Sequence, residues 1–180
     1  MIAGAGTVAV ELLRQAPGLK VILVPVGGAG LVAGTVMAAK AINPDITVIG
    51  VEPRTGADTA ASLRYGHRVT LPAVPDTIAD GSGTPARYPS PAPLAWEINK
   101  VLLDDVITVT DDDIVQAMRR AFEYLKIVAE PSGAVALAAL AAGGLPAGPA
   151  GVVISGGSVD YGIFRALIAG LPDEKERAVA

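Results

Sequence analysis

VPVGGAGLVAG, residues 24–34, joins an apolar, strand-like run to a helix of small residues through a glycine-rich turn. Gly27, Gly28 and Gly30 surround Ala29 at the join. So many positions without side chains imply that something approaches the backbone closely. A strand, a glycine turn and a helix N-terminus together form an anion site. The first helical N–H groups lack intrahelical partners, and the helix dipole adds about half a positive charge. Two other readings share these residues. The turn serves packing alone, or it is a dinucleotide fingerprint: Gly28-Ala29-Gly30-Leu31-Val32-Ala33 is G-x-G-x-x-A, and Glu52 lies 22 residues past Gly30, where a ribose-binding acid would stand.

Working outward, hydrophobic periods alternate along the chain. Residues 20–26 and 46–52 are continuous apolar runs, the pattern of parallel strands covered on both faces. Residues 31–42 read as a helix stopped by Asn43-Pro44, and 58–65 as a short helix closed by Gly66. HRVTL, 67–71, predicts a weaker, more polar strand, with His67 on its solvent side. Residues 72–93 hold six prolines and predict one long functional loop. A helix over 93–103 and a strand over 106–110 follow. Thr110 and Asp113 form a T-x-x-D capping pattern, and Ile114, Met118, Ala121, Phe122 and Leu125 form one apolar stripe of the next helix. Pro131-Ser132 opens a further helix; GVVIS, 151–155, is a last buried strand, ended by Gly156-Gly157 ahead of a helix over 160–169. This order predicts an α/β fold, an open and mostly parallel sheet with helices on both faces. Near the start, AGAGTVAVELL, 3–13, reads as a glycine turn entering a helix, so the chain looks as if it begins partway through something larger, and Gly4-Ala5-Gly6 is a candidate third glycine-lined strand end.

The totals narrow the function classes. At 180 residues the chain is one domain's worth, 1–180, with enough length to bury a core. Apolar residues make up 51% but aromatics only 4%, which suits tightly packed α/β layers. A net charge of −4 without a basic patch argues against nucleic acid as a partner. The absence of cysteine excludes disulfides and thiolate chemistry, and a single histidine excludes a histidine metal cluster. Pro25 and the glycines inside 21–39 argue against a membrane span, and a cytoplasmic protein is expected.

Seven stretches kept in order are more specific than any one glycine motif: AGAGTVAVELL, VPVGGAGLVAGTVMAAK, VIGVEP, TIADG, DDVITVTDDDIVQAMR, KIVAEPSGAVALAAL and VVISGGSVD. Through them the chain resembles the fold-type-II pyridoxal-phosphate enzymes, in the threonine/serine dehydratase and serine racemase group, over about residues 2–165. The resemblance implies an incomplete large domain of the tryptophan-synthase-β type. It implies a cofactor, pyridoxal 5'-phosphate, whose phosphate is wrapped by Gly27, Gly28, Ala29, Gly30 and Leu31. Ala29 departs from the usual glycine; a left-handed conformation there costs an alanine on the order of 1 kcal/mol. Ser155 maps to the family's serine at the pyridine nitrogen, with Gly156 beside it. A neutral hydroxyl there leaves the ring nitrogen unprotonated and favours β-elimination over transamination.

Glu130, in AEPSG, matches a family glutamate near the ring; its other reading is a helix-end carboxylate satisfied by the Pro131–Gly133 turn. Glu52, Gly56 and Asp58 match a family divalent-cation site suited to Mg²⁺ or Ca²⁺, against a reading as ordinary surface acids. The resemblance also implies a lysine that holds the cofactor, in a segment upstream of the first matching stretch. Lys20, Lys40, Lys100, Lys126 and Lys175 do not follow such a motif, so no catalytic residue is expected in this chain. The expected function is pyridoxal-phosphate-dependent deamination of a hydroxy amino acid such as threonine or serine. This chain would supply the cofactor cradle, as a homo-oligomer or beside a separate chain carrying the lysine half. An NAD(P)-binding module and a non-catalytic phosphate-binding remnant are the alternatives.

Overall fold

The two central apolar runs form the middle of one sheet because each is too hydrophobic to leave either face in water. A computed structural model describes residues 1–80 and 90–170. Its strands are β1 (Val21–Pro25), β2 (Thr47–Pro53), β3 (Asp105–Val109) and β4 (Ala150–Val152), in the order β3-β2-β1-β4. Every pairing is parallel: Val24 lies opposite Gly50, Ile49 opposite Asp105, and Val21 opposite Ala150. The helices are α1 (Ile2–Gln15), α2 (Gly30–Ile42), α3 (Asp58–Tyr65), α4 (Pro93–Leu102), α5 (Asp111–Arg120), α6 (Pro131–Ala142) and α7 (Tyr161–Ala169).

Alternation along β1 divides the interior. Ile22 and Val24 pack with α1, α2 and α4, whereas Val21 and Leu23 pack with α5, α6 and α7. The sheet therefore has helices on both faces, as the periodicity predicts. Among the described residues no helix is long and apolar enough to cross a membrane.

The α1–α2 pair depends on bare backbone. A Cβ on Gly34 would coincide with the Ile2 carbonyl oxygen and lie 2.7 Å from the Ala5 Cβ, while one on Gly6 would sit 3.2 Å from the Gly34 carbonyl oxygen. The residue pattern Gly4-Ala5-Gly6 is thus helix interior, not a third glycine-lined strand end, and Gly6 is there for close helix packing.

Three other expectations are corrected. Residues 67–71 form no strand, because side chains rather than a neighbouring strand hold their backbone. The Val69 N–H donates to the Ser62 hydroxyl, and the Arg68 guanidinium donates to the Pro91 carbonyl and the Ser90 hydroxyl. His67 is solvent-exposed as expected, but not on a strand. The last strand stops at Val152; the Val153 N–H still donates to the Leu23 carbonyl at 3.0 Å, and Ser155 stands beyond it in a loop. The predicted stripe is buried at Ile114, Met118 and Ala121 but exposed at Phe122 and Leu125, because α5 widens into a π-helical turn over Ala121–Leu125 that rotates those two outward. The capping pattern is realised: Thr110 Oγ1 accepts from the Asp113 N–H, and Asp113 Oδ2 accepts from the Thr110 N–H. The Thr110 hydroxyl and then its backbone N–H hold the Asp113 carboxyl below the usual carboxylate range. Part of the proline-rich loop, residues 81–89, lies outside the described residues.

Gly34→Ala is expected to destabilise the chain by about 2 kcal/mol or more through overpacking. Gly18→Ala, where a Cβ meets nothing within 4 Å, should leave stability near the parent value; urea midpoints compare the two.

Candidate functional site

Chain order and sheet order diverge at β1. The chain builds outward from β1 to β2 and β3, then returns to lay β4 on the other side of β1. At such a switch point the connections leaving neighbouring strands part in opposite directions, and a crevice opens at the carboxyl ends. A cleft of about 920 Å³ lies there. Gly27, Gly28, Ala29, Gly30 and Leu31 line it from the end of β1, Ser155 from beyond β4, and Pro53 from the end of β2. Met1, Ala79, Asp80, Ser132 and Val135 complete parts of its wall.

The turn after β1 is built to turn its N–H groups outward. Pro25 closes the strand because it has no N–H to continue the ladder, and the Val26 N–H makes the last bond, 2.8 Å to the Val51 carbonyl. The next carbonyls are taken up from the start of α4 and from within α2. Gly28 accepts from the Ala92 N–H at 3.3 Å, and Ala29 accepts from the Ala33 N–H at 3.1 Å. Ala29 has φ 63 and ψ 4, the left-handed conformation, immediately before the first residue of α2. For an alanine that costs roughly 1–2 kcal/mol. None of the N–H groups of Gly27, Gly28, Ala29 and Gly30 is taken up by a described residue. The result is four donors at the positive end of α2, on the wall of the cleft.

The far wall is set by a second close approach of backbones. A Cβ on Gly133 would coincide with the Gly156 carbonyl oxygen, so α6 starts directly against the loop after β4. Glu130 secures that loop. Its N–H donates to the Gly156 carbonyl at 3.1 Å, and its Oε2 accepts from the Ser158 N–H at 2.9 Å. A Cβ on Gly156 would fall on the Glu130 carboxylate. Glu130 and Gly156 thus lie behind the cleft wall, where they fix the path that presents Ser155. Glu130 is satisfied by the Gly156–Ser158 loop rather than by the Pro131–Gly133 turn.

Glu52 and Asp58 form a separate buried group. Glu52 is 0% exposed, and its two oxygens accept from the N–H groups of Thr59 and Ala60 at 3.0 Å each. It therefore caps α3 from the end of β2. An acid engaged in this way is closed to a ribose hydroxyl, which removes the residue that the dinucleotide reading requires. Burial, then the negative charge of Asp58, pushes the Glu52 carboxyl up to about 8, against the pull of the Ala60 and Thr59 N–H groups. Burial pushes Asp58 up to about 7. Asp58 Oδ2 is buried without a partner among the described residues. Gly56 sits in the short 3-10 turn Arg54–Gly56 between them. Among the described residues no cluster of three acidic, histidine or cysteine side chains could hold a metal ion. The pair thus fits a cation only through Asp58 Oδ2 and main-chain or water oxygens.

Sequence reasoning missed several residues of the site. Asp80 and Ala79 line the cleft because Asp111 clamps the preceding segment: Thr77 Oγ1 donates to Asp111 Oδ1 at 2.6 Å, and the Ile78 N–H donates to Oδ2 at 3.0 Å. The TIADG stretch was a signal for them. Ser132 was visible only as the helix opener after Pro131. Among the described residues no lysine lines the cleft. Lys40 binds Asp104 at 2.9 Å on the other side of the sheet edge, and Lys126 bonds the Glu123 carbonyl in the π-helical turn.

Known proteins with this arrangement define its class. The profile of the family described as "Pyridoxal-phosphate dependent enzyme" matches residues 1–156. The chain belongs to this family, in its fold-type-II branch with the serine racemases and threonine dehydratases. A serine racemase of Oryza sativa subsp. indica is 41% identical over 170 residues, covering 91% of this chain and 48% of that protein. An L-threonine ammonia-lyase of Thermotoga maritima is 36% identical over 169 residues, covering 93% of this chain and 41% of that protein. Among solved structures, maize serine racemase superposes with a TM-score of 0.82 at 38% identity, covering 99% of this chain and 54% of that one. The chain spans about half the length of the curated relatives it matches.

The buried acids generate a pH prediction. Both carboxyls hold their proton more tightly folded than unfolded, so the stability they contribute is full below their ordinary values of 3.8 and 4.5 and is lost as pH rises through about 7 and 8. Melting temperature should therefore fall by about 5 °C or more from roughly pH 5 to pH 8.5, and Asp58→Asn should flatten that slope.

Proposed function

We propose that this chain supplies the cofactor cradle for pyridoxal-phosphate-dependent β-elimination from a hydroxy amino acid such as serine or threonine. One observation carries the reading: four unclaimed N–H groups at Gly27–Gly30 and the Ser155 hydroxyl face the same cleft at the sheet's carboxyl edge. The backbone amides bind the phosphate, and the dipole of α2 adds to their attraction. Glycine at 27, 28 and 30 leaves room for phosphate oxygens against the main chain. The Ser155 hydroxyl would donate a hydrogen bond to the ring nitrogen without carrying charge, which would keep that nitrogen neutral. Glu130 holds the loop that aims Ser155. When bound, pyridoxal phosphate supplies an electron sink for the pair left when the α-proton departs.

The proton itself would be taken by a lysine in enzymes of this class, and no lysine lines the cleft among the described residues. A lysine from the remaining length that the relatives have is the group that fits, brought by the same polypeptide or by a partner chain. The reaction of the whole assembly, dehydration or racemisation, is set by that part, since both begin with loss of the same proton.

For the Glu52–Asp58 pair, a divalent cation bound through Asp58 Oδ2, the Gly56 carbonyl and water is the second reading, favoured by the unpartnered buried oxygen. Mg²⁺ or Ca²⁺ at millimolar concentration should then raise the melting temperature at pH 8 in the parent but not in Asp58→Asn. No shift in the parent would mean that the pair holds protons instead.

Trp96 is the only tryptophan and follows the cleft residue Ala95, so cofactor binding should quench its emission. The purified chain is expected to bind pyridoxal phosphate without a borohydride-stable link in the cleft, to release it to inorganic phosphate, and to form no pyruvate from serine. Gly27→Val, whose Cβ meets nothing within 4 Å, should keep the fold while weakening binding about tenfold by filling phosphate space. Tighter binding of NADH than of pyridoxal phosphate would sink the proposal.

A further inference from the structure

Asn99 is an amide in an apolar position. It lies on α4 one turn after Ala95 and is 0% exposed. Only half of its carboxamide is engaged: Nδ2 donates to the Ala29 carbonyl at 3.3 Å, and Oδ1 has no partner among the described residues. Burying a polar group so incompletely is costly, so an apolar residue would suit the packing better. The one hydrogen bond of the Asn99 side chain goes to a singular acceptor. Ala29 is the left-handed alanine of the glycine turn, and it is 70 residues away in sequence.

We infer that Asn99 is a positioning residue for the phosphate turn, holding Ala29 in the left-handed conformation that points the Gly27–Gly30 N–H groups into the cleft. The inference rests on the phosphate reading of that turn and extends it to a side chain outside the cleft wall. Glycine populates left-handed backbone freely, whereas alanine disfavours it. With alanine at position 29, an external hold keeps the turn formed before the ligand arrives. Asn99 from the middle of α4 and the Ala92 N–H from its start supply that hold, each on one carbonyl of the turn. Without it, the turn of the free chain relaxes, and part of the binding free energy goes into restoring it.

The inference therefore predicts coupling between positions 29 and 99. In the full 180-residue chain, Asn99→Leu should weaken both pyridoxal phosphate and inorganic phosphate about fivefold, read by equilibrium dialysis and by competition. Ala29→Gly sets its own baseline affinity, and relative to that baseline Asn99→Leu in the glycine background should cost less than about twofold. An equal loss in both backgrounds, or none in either, overturns the inference and leaves the cleft reading standing. Failure of the parent chain to bind either ligand overturns both. Should Asn99→Leu not fold, hydrogen exchange in the parent decides: slow exchange of the Asn99 carboxamide protons, slowed further by phosphate, is expected, and exchange at the rate of an exposed amide overturns the hold.

Discussion

Among the described residues, β1 is the only strand with neighbours on both sides whose connections run in opposite directions, to β2 on one hand and β4 on the other. Everything at the cleft follows from that placement. The turn after β1 cannot continue over β4, and the loop after β4 cannot continue over β1, so the carboxyl edge between them stays open. Two glycine-rich strand ends, 128 residues apart when measured from Gly27 to Ser155, meet there as opposite walls of one space.

Close backbone contact keeps those walls in register. Gly34 lets α2 lie on α1, which fixes the axis along which the α2 dipole points. Gly133 lets α6 start against Gly156, which fixes the height of Ser155. Between them, α4 ties the carbonyls of Gly28 and Ala29. The glycine turn is thus held from both sides, and the donors it brings to the cleft are main chain. Main-chain donors cannot be lost by side-chain rotation, and they suit an anion whose oxygens are equivalent.

Glu52 shows how one residue can satisfy three sequence patterns and one structural role. At the end of a strand it matches a ribose acid, a cation ligand and a surface carboxylate. In the fold it is a buried cap of α3, with both oxygens committed to main-chain N–H groups and Asp58 beside it. Burial of two carboxyls side by side pushes both up toward the neutral range, a shift that follows from packing, not from residue type.

The legible part of this protein was its periodicity. Continuous apolar runs marked β1 and β2, VITVT marked β3, and Asn43-Pro44, Gly66 and Thr110-x-x-Asp113 marked helix ends, because local dihedral and capping preferences act within a few residues. The ordered motifs also carried the family and the glycine turn. Residues 67–71 misled because a polar alternation cannot say whether a neighbouring strand is available, and Phe122 and Leu125 misled because a π-helical turn changes the period without a sequence mark. Asn99 and the true setting of Glu52 were invisible because each is defined by partners 7 to 70 residues away, and Asp80, though it lies in the TIADG stretch, is tied to the site only by a shared cleft wall. Local sequence determined most of the strands, turns and helices, and that a glycine turn opening a helix follows β1. Only the tertiary structure decided that Ser155 lines the same cleft as that turn, since the order of strands in a sheet is a choice among global packings of the same elements, made by which apolar faces bury one another.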